Sequence, residues 1–247
     1  MPSKWKLHQL YSKHSSLRKH LPPTSLLTKK SLSQYLNKYQ AVYIKGKNQH
    51  TGLGMIKAWK TENDYRFVKV QGKPLIEKSI NNLYHKVTDG RPIQSILVQK
   101  AIDLASINGR PFSIRLMLMR DGKREWQYAG MLAKVSGEDS IVTNVRRGGG
   151  YATTVDDALA KSLGYSSDQI KRKNEEIIRI GFEIIRHATD TGYRSHETGI
   201  DLGIDNNGKV WIIEVNLSYP SHALFNRLQD KTFYRKIKSL AAEYQET

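Results

Sequence analysis

Asp201, Glu214 and Asn216 are the residues of this chain whose types and spacing most directly suggest chemistry. They lie in two β-rich runs, Gly199-Ile200-Asp201-Leu202-Gly203-Ile204 and Val210-Trp211-Ile212-Ile213-Glu214-Val215-Asn216, on either side of Asn207-Gly208. Asn-Gly between such runs predicts a β-hairpin with a two-residue turn. That turn pairs Asn206 with Lys209 and, counting back, sets Asp201 opposite Glu214. Alternation places Glu214 and Asn216 on one face, and cross-strand partners share a face. Two carboxylates and an amide oxygen then converge. Such hard oxygen donors suit Mg2+, which takes few protein ligands and completes its shell with water and phosphate oxygens. Two buried carboxylates side by side are unfavourable without a cation. The intervening Ile200, Ile213 and Val215 are apolar and fit a packed layer. The alternative is a surface hairpin with an acidic outer face, because the register is inferred.

Three other segments supply cations and exposed backbone donors. Ala41-Val42-Tyr43-Ile44-Lys45 reads as a strand ending in lysine. It runs into a glycine-containing loop with Gly46, Gly52 and Gly54, then into Met55-Ile56-Lys57-Ala58-Trp59. A glycine loop between strands can fold over phosphates and offer N–H groups without blocking side chains. An ordinary hairpin loop is the alternative. It is not a P-loop, because Gly-x-x-x-x-Gly-Lys-Ser/Thr is absent, and no helix follows to make a dinucleotide fingerprint. Arg115 lies on an alternating run in which Phe112, Ile114, Leu116 and Leu118 share one face and Ser113, Arg115 and Met117 the other. Arg146-Arg147-Gly148-Gly149-Gly150 reads as an anion nest, fork-shaped donors beside exposed N–H groups, or else as a basic turn.

The elements that would position these groups are readable in outline. Residues 1–39 read as basic and helical, interrupted by Leu21-Pro22-Pro23-Thr24, with Thr28 or Ser31 able to cap a second helix. A strand pair surrounds Glu62-Asn63-Asp64. Residues 75–89 read as an amphipathic helix, and strands follow at 95–99, 112–119 and 126–135. Residues 155–164 and 167–190 read as helices, the longer one capped by Asp168, and 221–246 as a basic helical tail.

Composition sets the outer bounds. A chain of 247 residues can bury a core in one large domain or two lobes. Lys plus Arg number 40 and Asp plus Glu 23, a formal net charge of +17 with a pI of about 9.9. That excess favours an anionic partner: nucleotide, nucleic acid, acidic polymer or membrane surface. The basic residues read as spread along the chain, without a helix-turn-helix or a stacking single-strand module, so nucleic acid ranks last. There is no cysteine, which excludes a disulfide framework, a thiolate zinc site and a thiol nucleophile. No apolar run approaches the ~18–20 residues of a membrane span. The N-terminus has no signal-peptide apolar segment. The expectation is a soluble cytoplasmic protein.

In order along the chain, these segments resemble an ATP-grasp domain, most closely the YheC/YheD family of endospore-associated ATP-grasp proteins. The matching stretches are Lys4-Trp5, His20-Leu21-Pro22-Pro23-Thr24, Val42-Tyr43-Ile44-Lys45, Val98-Gln99-Lys100-Ala101-Ile102-Asp103-Leu104, Asn108-Gly109-Arg110-Pro111-Phe112-Ser113-Ile114-Arg115, Thr143-Asn144-Val145-Arg146-Arg147-Gly148-Gly149 and the acidic hairpin. The resemblance implies an α+β ATP-grasp fold over 1–247, with two α/β lobes whose antiparallel sheets grip ATP. The smaller lobe would span about 24–98 and the larger about 99–247, without a separate N-terminal domain. It implies that Lys45 binds the α/β-phosphates and that Lys4 is the second ATP lysine. Gly52 and Gly54 would belong to the flap, and Gln99, Lys100 and Ile102 to the linker that holds adenine. Arg115 and Arg147 would face the γ-phosphate or an acyl phosphate. Asp201, Glu214 and Asn216 would hold one or two Mg2+, with Mn2+ an acceptable substitute.

The activity implied is ATP-dependent ligation of a carboxylate to an amine or other nucleophile through an acyl phosphate. Three departures bear on it. Ser113 stands where Asp usually precedes Ile-Arg. Lys100 occupies a linker position that is often acidic or Gln. Leu217-Ser218-Tyr219-Pro220 replaces Ser-Lys-Pro after Asn216. Two other function classes compete: a nucleotide-binding spore or coat protein without chemistry, and a polyanion binder. The acceptor could be an acidic peptide or protein, and a partner protein or a second copy could complete the site.

Overall fold

The computed structural model describes residues 2–48, 54–69, 72–138 and 149–245. The chain begins with helices α1 (Lys4–Ser12) and α2 (Ser15–Arg18), then strand β1 (Thr24–Leu26) and helix α3 (Lys29–Lys38). It continues through β2 (Ala41–Gly46), β3 (Ile56–Lys60), β4 (Tyr65–Lys69), β5 (Leu75–Glu77), α4 (Ile80–Thr88), β6 (Ile96–Lys100), β7 (Ser106–Ile107), β8 (Arg110–Arg120) and β9 (Trp126–Val135). The last third holds β10 (Tyr151–Thr153), α5 (Val155–Leu163), α6 (Ser167–Asp190), β11 (Glu197–Ile204), β12 (Val210–Asn216) and α7 (Thr232–Gln245).

The strands form two antiparallel sheets. The first runs β1-β6-β2-β3-β4-β5 and the second β10-β9-β8-β11-β12, with β7 paired to β8. In the first sheet, Val42, Ile44, Ala58, Phe67 and Val98 project onto Leu32 and Leu36 of α3 and Leu83 and Val87 of α4. Period-two alternation sends Tyr43 and Lys45 to the opposite face, away from α3 and α4. In the second sheet, Phe112, Ile114, Leu116 and Leu118 of β8 share a core with α6 and with Leu7 and Tyr11 of α1. Met117 and Met119, on the other face, pack with Phe225, Ile237 and Leu240 around α7. That cover spans only part of this face. Arg115, Lys134, Asp201 and Glu214 share the remainder.

Several local expectations are corrected. The run 75–89 is not one helix: Leu75–Glu77 pairs with β4 as an exposed edge strand, and Ser79 caps a helix that starts at Ile80. Three residues are too few to distinguish a strand from a helical stripe. Ser166, not Asp168, caps α6, in a capping box with Gln169. Asp168 sits in the first turn, where it complements the helix dipole. The tail is non-helical from Leu217 to Leu224, with a single 3-10 turn at Phe225–Arg227 before α7. The basic residues are spread along the chain as read, whereas the acidic residues concentrate after residue 100. Residues 1–100 hold 19 Lys and Arg against 4 Asp and Glu, the rest 21 against 19. Among the described residues no helix is long and apolar enough to cross a membrane.

The hairpin at 197–216 has the expected long-range register by a different route. Asp205 N–H donates to Lys209 O and Gly208 N–H to Asp205 O, so the loop contains three residues, with Gly208 at φ 77°. That loop shifts the pairing by one, giving Ile204↔Val210 and Leu202↔Ile212. A bulge between Asp201 and Leu202 shifts it back, and Asp201 stands opposite Glu214.

Candidate functional site

The two sheets face each other across a narrow cleft with a cavity volume of only about 40 Å³. Lys45, Leu97, Gln99 and Thr24 line it from the first sheet, Ile212, Ile213, Glu214 and Val215 from the second, and Lys4, Leu7, His8 and Tyr11 from α1. Lys4 joins the two sides. Its backbone N–H donates to Lys47 O at 3.0 Å, and its Nζ donates to Glu214 Oε1 at 2.9 Å. Ser3 caps α1 immediately before it, which fixes where the helix starts and so where Lys4 points.

Lys45 is buried on the face of β2 turned away from α3 and α4 and donates to Gln99 Oε1 at 2.7 Å. Gln99 in turn donates from Nε2 to Thr24 Oγ1 at 2.7 Å, so its amide is fixed from both ends. Burial, reinforced by Lys4 and opposed by Glu214, brings the Lys45 ammonium down to about 8. His8, one helical turn from Lys4, is brought down to about 4 by burial and by Lys45. It is therefore neutral at physiological pH.

Asp201 is the centre of the second sheet's polar cluster. Arg115 grips it bidentately, Nε to Oδ1 at 2.7 Å and Nη2 to Oδ2 at 3.1 Å. Lys134 Nζ adds a bond to Oδ1 at 2.8 Å. Burial alone would raise the Asp201 carboxyl. Arg115 and Lys134 outweigh it and hold the group well below the usual carboxylate range. Burial in turn lowers the Lys134 ammonium, which Asp201 opposes. Lys134 escaped sequence reasoning because Met131-Leu132-Ala133-Lys134-Val135 reads as an apolar strand. A lysine inside such a run was the available signal, since a strand this apolar rarely buries a charge unpaired.

The remaining expected residues are distributed as follows. Asn216 lies opposite Gly199, on the same face as Glu214. Lys100 and Ile102 do not line the cleft. They border a second groove with Tyr39, Asp103 and Trp211, where Lys100 Nζ sits 5.6 Å from the Tyr39 ring and 5.5 Å from Trp211. The linker's N–H groups at Lys100 and Ala101 are engaged by Pro23 O and Ala41 O. Gly54 lines neither recess, and its carbonyl accepts from Arg91 Nη2. Ser113 is buried and pairs with Lys134 across β8 and β9. Gly52 and Arg147 lie outside the described residues, as does the stretch from Thr143 to Gly148.

Among the described residues, four cations (Lys4, Lys45, Arg115 and Lys134) thus surround two carboxylates, a local excess of two positive charges. Such a site attracts a polyanion more than a bare metal ion. Among the described residues no three His, Cys, Asp or Glu side chains cluster to hold a metal unaided. The donors present still fit Mg2+ arriving with phosphate. Asp201 accepts three hydrogen bonds of the roughly four its carboxylate can take, leaving a position on Oδ2. Glu214 and Asn216 add hard oxygens on the same face.

Comparison with known proteins agrees with this arrangement. The chain is 28% identical over 237 residues to the endospore coat-associated protein YheD of Bacillus subtilis (strain 168), an alignment covering 91% of this chain and 49% of that protein. It therefore spans about half the length of that curated relative. A family model described as YheC/D like ATP-grasp matches residues 1–247. With two antiparallel sheets facing across a cation-lined cleft, the chain has the ATP-grasp fold and belongs to the YheC/D-like ATP-grasp family.

Proposed function

We propose that this protein is an ATP- and Mg2+-dependent ligase that joins a carboxylate to an amine through an acyl phosphate. The observation that carries the reading is that Lys4, Lys45 and Glu214 line one cleft, and that Glu214 stands opposite Asp201 of the Arg115–Asp201–Lys134 cluster. Family membership supports ATP-dependent ligase chemistry in general. In this reading Lys45 and Lys4 hold the triphosphate, while Arg115 and Lys134 face the transferred group, together with Arg147. A substrate carboxylate oxygen attacks the γ-phosphorus, the bond to the β–γ bridging oxygen breaks, and ADP leaves. An amine nitrogen then attacks the acyl carbon and phosphate departs. Mg2+ would be held by Asp201, Glu214 and Asn216 and would neutralise charge on the β- and γ-oxygens; Mn2+ suits the same donors. The chain's own contribution is positioning and charge stabilisation, so no protein nucleophile is required.

Calorimetry of ATP, with and without Mg2+, tests the site on the wild type and on Glu214→Ala. Mg2+-dependent binding weakened by the substitution is expected, with ADP release once a carboxylate and an amine are supplied. Absence of ATP binding by the wild type would defeat the reading. A second reading follows from the coat association of the Bacillus subtilis relative: a nucleotide-binding, catalytically silent protein associated with the spore coat. It predicts bound nucleotide that is never turned over on any carboxylate and amine pair, and localisation with the coat in a sporulating cell.

A further inference from the structure

The segment after Asn216 builds a second polar cluster along β11 from Asp201. Glu197, Gly199, Asp201 and Gly203 project from one face of β11. Glu197 therefore lies roughly 13 Å along the strand from Asp201. Gly199 between them leaves room for Pro220: a Cβ there would come within 2.6 Å of Pro220 Cβ and 3.4 Å of Arg115 Nη1. Pro220 is thus seated beside the Arg115 guanidinium.

Leu217 and Pro220 are buried on either side of Tyr219, yet Tyr219 is 81% exposed and has φ 49°. A bulky side chain in the left-handed region is a genuine outlier, held only because its neighbours fix it there. Its ring meets His196 edge-on at 5.9 Å, and His196 stacks on Tyr244 at 5.0 Å. Two residues beyond Pro220, His222 Nε2 lies 2.6 Å from Oε2 of the buried Glu197, whose Oε1 is 3.8 Å from His196 Nε2. The other charges about the cluster are Arg115 beside Pro220, Arg124 over Tyr244 at 6.0 Å, and Arg120, whose Nε donates to Ser195 O. A carboxylate that accepts Nε2–H fixes the imidazole tautomer and leaves Nδ1 as the lone pair. His222 Nδ1 has no hydrogen-bond partner among the described residues.

We propose that Tyr219 and His196 form a platform for the acceptor amine, and that His222, oriented by Glu197, removes the amine's proton before it attacks. This rests on the carboxylate–amine reading above. The alkylammonium docks on the electron-rich ring of Tyr219 and gives one proton to His222 Nδ1. The freed nitrogen lone pair forms the C–N bond to the acyl carbon. The C–O bond to phosphate breaks, and phosphate leaves with the bonding electrons. The second proton goes from nitrogen to the departing phosphate, and His222 returns its proton to solvent.

The test is a titration of the full chain, 15N-labelled at histidine, with n-butylammonium chloride at pH 8, and with sodium butyrate as the matched anion. Butylammonium should shift the His222 Nδ1 resonance saturably in the millimolar range, and butyrate should not. Tyr219→Gly and His222→Gln should weaken butylammonium at least fivefold while ATP binding stays at the wild-type level. Tyr219→Gly should also melt at or above the wild-type temperature, since glycine tolerates φ 49°. Butyrate binding in place of butylammonium, or no shift with either, overturns the proposal. So does a Tyr219→Gly variant that melts lower with unchanged butylammonium affinity, which would make Tyr219 a structural clamp. A wild type that binds butylammonium but no ATP would defeat the ligase reading and uphold the amine subsite.

Discussion

Raising the pH from 7 to 9 should remove the proton from Lys45 while Arg115 stays charged. Burial and Lys4 hold the Lys45 ammonium at about 8, against an ordinary 10.5. A phosphate oxygen seated against Nζ reverses that balance, so the nucleotide complex keeps the proton that the free protein has partly lost. Binding then takes up about 0.1 proton at pH 7, about 0.5 at pH 8 and about 0.9 at pH 9. Affinity falls about tenfold between pH 7 and pH 9, or about 1.4 kcal/mol. Calorimetry in two buffers of different ionisation enthalpy, such as HEPES and Tris, reads the uptake as the difference in apparent binding enthalpy. At pH 8 and above the triphosphate is fully ionised and His8, held at about 4, is neutral, which leaves the buried lysines, Lys45 and Lys134, to take up the proton. Lys45→Arg keeps a cation but removes the Lys45 titration, and its uptake at pH 8 should fall by about 0.5. No uptake by the wild type at pH 8, or the same uptake in Lys45→Arg, would refute the reasoning.

The same depressed ammonium has a stability consequence. Below pH 8 the folded state carries a buried charge that the unfolded chain holds more comfortably, so this group's destabilisation is fully present there and is relieved as pH rises from about 8 toward 10.5. Lys45→Met should therefore stabilise the nucleotide-free protein at pH 7 by about 2 kcal/mol, after allowing for the orphaned Gln99 oxygen, and abolish ATP binding; a lower melting temperature sinks this account. Asp201→Asn should destabilise by about 3–5 kcal/mol at pH 7, because two buried cations lose their carboxylate. Asp201 is held below its ordinary range, so its contribution is complete above about pH 4 and is lost as the pH falls further. In urea unfolding, the gap between wild type and variant should shrink from pH 7 to pH 3, and an unchanged gap would contradict the ion-pair account. Free Mn2+, followed by electron paramagnetic resonance, should bind the nucleotide-free protein no tighter than about millimolar, since the local field is positive. Tight Mn2+ binding without nucleotide would overturn the charge argument.

The fold was legible wherever one period ran long enough. The alternation of Phe112 to Met119 and the helical stripe of α6 each persist over several repeats, and both elements stand where the pattern placed them. The errors fall on short runs and caps. Leu75-Ile76-Glu77 satisfies a strand or a helix equally well, and only pairing with β4 decides it. At α6, Ser166 and Asp168 are both competent caps. The reciprocal bond from Gln169 selects the serine, and that bond exists only once the turn has formed. The hairpin shows how a correct register can hide a wrong turn. Asn207-Gly208 does mark the reversal, but Gly208 sits at the left-handed end of a three-residue loop, and the bulge near Ile213 cancels the offset. Face alternation at Asp201 and Glu214 survived because the two one-residue shifts have opposite sense.

The site was legible as an inventory of groups and not as a set of partnerships. Sequence spacing brings Asp201 opposite Glu214, but it cannot show that β8 lays Arg115, and β9 lays Lys134, across the same carboxylate. Those contacts depend on strand order, which local pattern does not encode. The partnerships also change what the residues mean. An aspartate facing solvent would offer a divalent ion its full charge. Asp201 offers one remaining oxygen position, inside a cluster whose net charge is already positive. On the proposed reading, metal affinity would therefore belong to the ternary arrangement: a triphosphate would first have to offset Lys4, Lys45, Arg115 and Lys134 before a divalent cation is favoured. On that reading Lys134, which the sequence pattern hid, would help make nucleotide and metal binding interdependent. Lys134→Met, which removes one of the two cations on Asp201, should loosen that dependence more than any change on the nucleotide side of the cleft.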